Sequence, residues 1–397
     1  MAGAITIPCP VSASPPTEPV SAMPARNAAI DHSRTALTIL VVAHHAVIPY
    51  TYYGRADAQT WLGFDGFILA TDTCMMTAFF FISGLFVWPS LRRKSILQFL
   101  DERMLRLALP FAVAVLTLMP LAYYALELRM HDISFSAYWW RTITAGPWQS
   151  GPAWFVWVLL ALDLTAALLY RTAPNILAPL NRLARAGFAR PLPFFLAFVA
   201  ACLVAYVPMR LAFGATRWFE FGPVSIQASR VLLYPACFFF GAAIGYSNLD
   251  RGLLGHGGAL ARRWGRWALA ALAAYGLLVA LVYYRRGILP DPNVLPEWWQ
   301  IAYAFIFVLL SATASFAILG GFIRLNAAAM PLLDAMQPAA YGIYLIHYVP
   351  VLWIQYWLWG TDHSAFTKAG LSLAFGLGAS WLSTAALRRL PGATRVL

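Results

Sequence analysis

Two adjacent histidines, His44 and His45, interrupt the apolar run TALTILVVAHHAVIPY, and Arg34 stands eleven positions before the second of them. At about 100° per residue, eleven steps return to within roughly 20° of the starting direction, and at 1.5 Å each they climb about 16 Å. A helix here carries Arg34 and His45 on one face at different depths. A neutral imidazole can take a proton from a hydroxyl, and a guanidinium can hold a phosphate or carboxylate, so the pair could span a long donor. The plainer alternative makes His45 interhelical polar glue and Arg34 a charge anchor at the membrane rim. His44, turned about 100° away, reads as a hydrogen-bonding neighbour or a substrate contact.

Other groups could serve the same chemistry. In LRRKSILQFLDERMLRLALP, Arg103 and Arg106 are three apart. On one face of a helix start, near the positive end of its dipole, they would seat a polyphosphate such as a coenzyme or nucleotide; an arginine-rich cytoplasmic loop is equally ordinary. In FFFISGLF, Ser83 and Gly84 break an aromatic run. The glycine favours close helix packing, and the serine either bonds the preceding turn or faces a cavity. AAYGIYLIHYVP places His347 near Tyr341 and Tyr344, where it lines the same cavity or is satisfied by another helix. Asp163, in a further apolar stretch, is a proton carrier or a counter-ion for one of the arginines. Glu127, His131, Asp132, Trp139, Trp140 and Trp148 gather in one loop, as interfacial anchors or a sugar platform.

The elements that must position these groups are membrane helices. The 397 residues are 61% hydrophobic and 11% charged, against about 25% charged in an ordinary soluble domain. Such a composition excludes a disordered chain, a coiled coil and a nucleic-acid-binding domain. Apolar stretches of about 20 residues, enough to cross a bilayer, recur ten times: 35–53, 68–90, 104–126, 152–171, 191–212, 229–247, 267–284, 299–323, 339–359 and 366–387. The expected fold is therefore an all-α polytopic membrane protein. Residues 1–33, rich in Ala, Pro and Ser, read as a loose tail, 34–390 as one membrane domain, and 391–397 as a short C-terminus.

An even number of spans puts both termini on one side. Nineteen of the 28 Lys and Arg fall on that side and nine on the other, so the termini are expected in the cytoplasm. The net charge of +12 then requires no nucleic acid partner. Cys9, Cys74, Cys202 and Cys237 lie far apart without metal-ligand spacing and read as small hydrophobes; no metal and no permanently bound cofactor is expected.

In order and position these pieces resemble acyltransferase family 3, the membrane O-acyltransferases that modify bacterial surface glycans, antibiotics and related molecules. Its arginine, ten residues, histidine motif resembles Arg34 through His45. Its Phe-Phe-x-x-Ser-Gly resembles the tract from Phe79, Phe80 and Phe81 to Ser83 and Gly84. Its Arg-x-x-Arg resembles Arg103 and Arg106, its later WF resembles Trp154 and Phe155, and its final tract resembles YGIYLIH with His347. Two departures stand out: Ala340 occupies the place of a usual serine, and the text around Arg34, DHSRTALT, keeps Asp31 but lacks the glycine after the arginine.

The resemblance implies transfer of an acetyl or succinyl group from cytoplasmic acyl-CoA to a hydroxyl on a glycan, a lipid-linked molecule or a small acceptor beyond the bacterial inner membrane. Arg103 and Arg106 would seat the phosphates of CoA and Arg34 would position the donor, with Ser83, His347 and His44 near the substrate. His45 would act as general base or first accept the acyl group; the base is favoured because an imidazole of ordinary pKa needs no further activation. A transporter or flippase relaying protons through its intramembrane His and Asp is the alternative. A silent sensor of acyl-CoA would keep the arginines and have no need of His45.

Overall fold

The computed structural model describes residues 25–247, 252–287, 295–325 and 329–397. In chain order the main helices are α1 (Ala25–Val47), α2 (Leu62–Arg93), α3 (Ile96–Glu127), α4 (Phe135–Thr144), α5 (Gly151–Thr172), α6 (Ala178–Ala186) and α7 (Leu192–Phe213). A hairpin of β1 (Trp218–Phe221) and β2 (Val224–Gln227) follows, the two strands pairing antiparallel. Then come α8 (Ala228–Gly245), α9 (Trp264–Gly287), α10 (Glu297–Arg324), α11 (Ala340–Ile346), α12 (Tyr348–Leu358) and α13 (Ala365–Leu387).

Eight of these, α2, α3, α5, α7, α8, α9, α10 and α13, are long and apolar enough to cross a membrane. The protein is a polytopic all-α membrane protein. The two other expected spans are helical but different in character. One is α1, which carries Asp31, His32, Arg34, His44 and His45 among its 23 residues. The other is divided at His347 into α11 and α12. That division has a cause in Pro350, which has no N–H to give the carbonyl of Ile346. The tail expected over 1–33 ends earlier: α1 begins at Ala25, because Ala28, Ala29 and Ile30 already favour and bury a helical turn. Residues 1–24 lie outside the described residues.

α2 is the axis of the bundle. Of its most apolar stretch 78% is buried, against 11% for α9, which therefore faces the surroundings. Its aromatic run is the reason. Phe80 meets Phe155 and Tyr234 with ring centroids 4.7 and 4.5 Å apart, and Phe81 meets Phe198 at 5.2 Å. Gly84 serves packing: a Cβ there would lie 1.9 Å from the Phe238 carbonyl oxygen, and one on Gly241 1.9 Å from that of Phe81. The two glycines let the α2 and α8 backbones touch.

α3 begins eight residues before the expected 104, capped by Ser95, whose hydroxyl accepts from the Gln98 N–H at 3.2 Å. It is interrupted by two π turns, Met104–Ala108 and Ala114–Leu118, each closely followed by a proline, Pro110 and Pro120. A proline cannot donate to the carbonyl four residues back, which frees the oxygens of Arg106 and Leu116. Both are taken by aromatic donors from elsewhere. Tyr341 Oη–H donates to Arg106 O at 2.6 Å, and Trp139 Nε1–H to Leu116 O at 2.8 Å.

Candidate functional site

The histidines of α1 and α12's approach meet across 302 residues. His347 sits at the α11–α12 break, fully buried, with Nδ1 2.7 Å from the Tyr344 carbonyl oxygen. Only an N–H can face a carbonyl at that distance, so in neutral His347 the lone pair is on Nε2. Nε2 lies 3.2 Å from Nδ1 of His45, and the same Nδ1 lies 3.0 Å from the Val41 carbonyl oxygen. Two acceptors therefore converge on His45 Nδ1, which carries the proton. The lone pair of His45 is left on Nε2, for which no hydrogen bond is found among the described residues. The ring is further fixed by an edge contact with Tyr348, centroids 5.0 Å apart. Gln355 donates to the backbone oxygens of His45 and Ala46 at 2.9 and 3.2 Å, joining α12 to the end of α1.

His44 points to α2 instead. Its Nδ1 lies 2.7 Å from Thr71 Oγ1, which itself reaches the Phe67 carbonyl at 2.9 Å. The ring of His44 is half-buried and 5.3 Å from that of His45. Ser83 is half-buried on α2, and no hydrogen bond among the described residues joins it to either histidine.

α1 is regular between Asp31 and His45 despite the missing glycine: Thr35 and Thr38 return hydroxyl hydrogen bonds to the carbonyls of Asp31 and Arg34. Arg34 is half-exposed, with Asp31 Oδ1 3.9 Å away, and is near enough to Arg103 to feel its charge. Arg103 Nε lies 2.9 Å from the buried carboxylate of Asp163, and its guanidinium rests over Phe99, 4.7 Å from the centroid. Asp163 is thus the counter-ion of Arg103.

Two expectations about the arginine pair change. They lie two turns inside α3, beyond reach of its N-terminal dipole, because Ser95 starts the helix early. They also part company, since the π turn at Met104–Ala108 has wider, i to i+5 spacing and opens the angle between them. Arg103 turns to α5, whereas Arg106 turns to the end of the chain and donates from Nε to the Arg395 carbonyl at 3.2 Å.

The partners Gln355 and Tyr348 were not singled out from sequence, and Tyr341 was noted only for its nearness to His347. Gln355 had a signal, an amide inside an apolar stretch; the tyrosines had none apart from their nearness to His347. Between α3 and α5, Trp139 donates to the Leu116 carbonyl at 2.8 Å, and Glu127 pairs with His131 at 3.0 Å and Arg141 at 2.7 Å.

The fold and site define a polytopic all-α membrane protein with a paired His45 and His347 inside the bundle and arginines toward one end. The model of the acyltransferase domain of acyltransferase family 3 matches residues 27–385, and the chain belongs to that family of membrane acyltransferases. No curated protein and no solved structure matches the chain.

Proposed function

We propose that this acyltransferase moves an acetyl or succinyl group from acyl-CoA to a hydroxyl of a glycan, a lipid-linked molecule or a small acceptor, with His45 as general base. The observation that carries the reading is the arrangement of His45, with Nδ1–H held by Val41 and His347 and Nε2 left as the basic atom. Nε2 takes the proton of the acceptor hydroxyl as its oxygen attacks the thioester carbon. The C–S bond then breaks, and the imidazolium returns that proton to the leaving thiolate, giving free CoA thiol and the ester. Arg34 and Arg103, at the end of the bundle where α1 begins and α13 stops, favour a donor entering from there. With the termini in the cytoplasm of a bacterial inner membrane, the donor comes from the cytoplasm and the acceptor from the opposite face.

General-base assistance contributes about 10²–10⁴-fold. His45→Ala in lipid nanodiscs is therefore expected to lose that much thiol release from acetyl-CoA or succinyl-CoA in the presence of a host glycan extract, with an unchanged melting temperature. Thiol release independent of His45 would remove it as base. Absence of release from the wild type with both donors would favour the transport reading instead.

A further inference from the structure

The end of the chain is part of the arginine site. α13 stops at Leu387, Pro391 cannot extend it, and Gly392 turns the backbone with φ at 81°, a conformation that side chains resist. Residues 393–397 thereby fold back over α3. Three contacts hold them: Arg388 Nη1 donates to the Leu397 carbonyl at 2.5 Å, Arg106 Nε donates to that of Arg395, and the Leu397 side chain packs on the main core.

Beside this segment lies an open cleft of about 330 Å³ lined by Lys94, Glu102, Leu105, Arg106, Thr394 and Arg395. That volume falls in the range of about 300–1,000 Å³ used for small ligands. Lys94 is bonded to Glu102, so the one carboxylate of the lining is already neutralised. Arg106 and Arg395 have no carboxylate partner among the described residues, and the Arg395 guanidinium makes no hydrogen bond there; only its backbone N–H is used, donating to the Gly392 carbonyl at 3.0 Å. Two arginines from separate elements, with Thr394 in the same lining, offer the donors that the oxygens of a phosphate or diphosphate accept from.

We propose that the C-terminal segment adds Arg395 to the donor site, binding the phosphate-bearing end of the acyl donor in the space it lines together with Arg106. The inference rests on acyl-CoA being the donor. It assigns a binding role to a residue that lies beyond the stretch matched by the family model, which ends at 385.

The test uses full-length protein in phosphatidylcholine nanodiscs, where no anionic headgroup competes. CoA binding is measured together with turnover of acetyl-CoA and of acetyl-pantetheine, which has no phosphate. Hydrogen bonds to charged groups are worth enough that Arg395→Ala is expected to raise the Kd for CoA and the KM for acetyl-CoA about tenfold. Arg395→Lys should fall between, and acetyl-pantetheine kinetics should not change. Arg395 is exposed, so these variants are expected to fold. An unchanged Kd for CoA overturns the proposal, as does an equal loss with acetyl-pantetheine or a tighter KM, which would mark the segment as a wall or a lid. An effect confined to nanodiscs containing anionic lipid would make the cleft a headgroup site, against the proposal. Turnover that ignores Arg395 removes the cleft and leaves the donor assignment standing. Arg395-dependent CoA binding without thiol release from any donor does the reverse, and absence of CoA binding by the wild type overturns both.

Discussion

The histidine pair lies between two charged regions that use the same side chains for opposite ends. At the end where α1 begins and α13 stops, Arg34 is half-exposed, and Arg106 and Arg395, with no carboxylate partner among the described residues, border an open cleft. At the other end two cations are closed in ion pairs and a third is covered by an aromatic ring. Lys368 Nζ reaches both oxygens of Asp57 at 2.9 Å, with the side chains 1% and 5% exposed. Arg230 grips Asp72 with both Nη atoms and lies over Phe307, 5.0 Å from the centroid. Arg210 is buried against the ring of Tyr303. Cations left in excess beside open space can still accept an anion, whereas a buried pair has already spent its charge on holding elements together. Substitutions at the two ends should therefore separate donor affinity from stability.

The largest effect is expected where a charge would be stranded. Lys368→Met leaves the Asp57 carboxylate buried with the Gln59 N–H but no counter-ion, and breaking a buried pair in this way costs about 3–5 kcal/mol. A large fall in melting temperature in nanodiscs is expected, with the KM for acyl donor unchanged in the surviving protein. A raised donor KM at full stability would break the comparison. Arg103 tests the other end. Arg103→Ala removes a donor contact and also strands Asp163, so both affinity and stability should fall, the latter by a few kcal/mol. Adding Asp163→Asn should recover melting temperature but not donor KM. If the double variant recovers both, Arg103 is a strut like Lys368.

Much of this contrast was legible in the sequence, and what was hidden has physical reasons. The arginine and histidine of α1 fall on one helix, so their relation follows from a fixed rise and rotation, and the apolar runs had to be helices because a bilayer satisfies no free backbone group. Asp163 was visible as an anomaly, yet its choice of Arg103 depends on how α3 and α5 pack. The divergence of Arg103 and Arg106 comes from a π turn next to Pro110, whose freed carbonyl is held by Tyr341, 235 residues away. The return of 393–397 over Arg106 leaves no periodic pattern at all. The pairing of His347 with His45 joins positions 302 residues apart and needed the break before Pro350 to orient the ring.

That pairing gives an intermediate effect, located between the two regions. With His45 as the proposed base, His347 would act on the reaction through the tautomer of His45, as a positioning residue. His347→Gln keeps an amide able to accept from His45 Nδ1–H and should retain most activity, while His347→Leu frees the ring to present the wrong nitrogen. A loss of about tenfold in kcat is expected for His347→Leu, less than the full value of a general base. Its donor KM should not move, because His347 lies away from the arginines. A shift in donor KM comparable to that in kcat, or equal losses in both variants, would show that His347 contacts the donor or merely fills space.

The smallest effect is expected at His44, which neighbours the catalytic ring but leans on the far region through Thr71. Thr71→Val removes the hydroxyl 2.7 Å from His44 Nδ1 and keeps the shape of the side chain. A single neutral hydrogen bond contributes about 1 kcal/mol, so the melting temperature should fall slightly. If His44 serves as scaffold, kcat and donor KM stay within about twofold, since His45 keeps both partners of its Nδ1. If His44 touches the acceptor, the released ring should raise the acceptor KM while donor KM holds. That outcome would extend the binding role to the end of the bundle where charge otherwise only holds helices together, and it would mark His44 as the point where the two regions overlap.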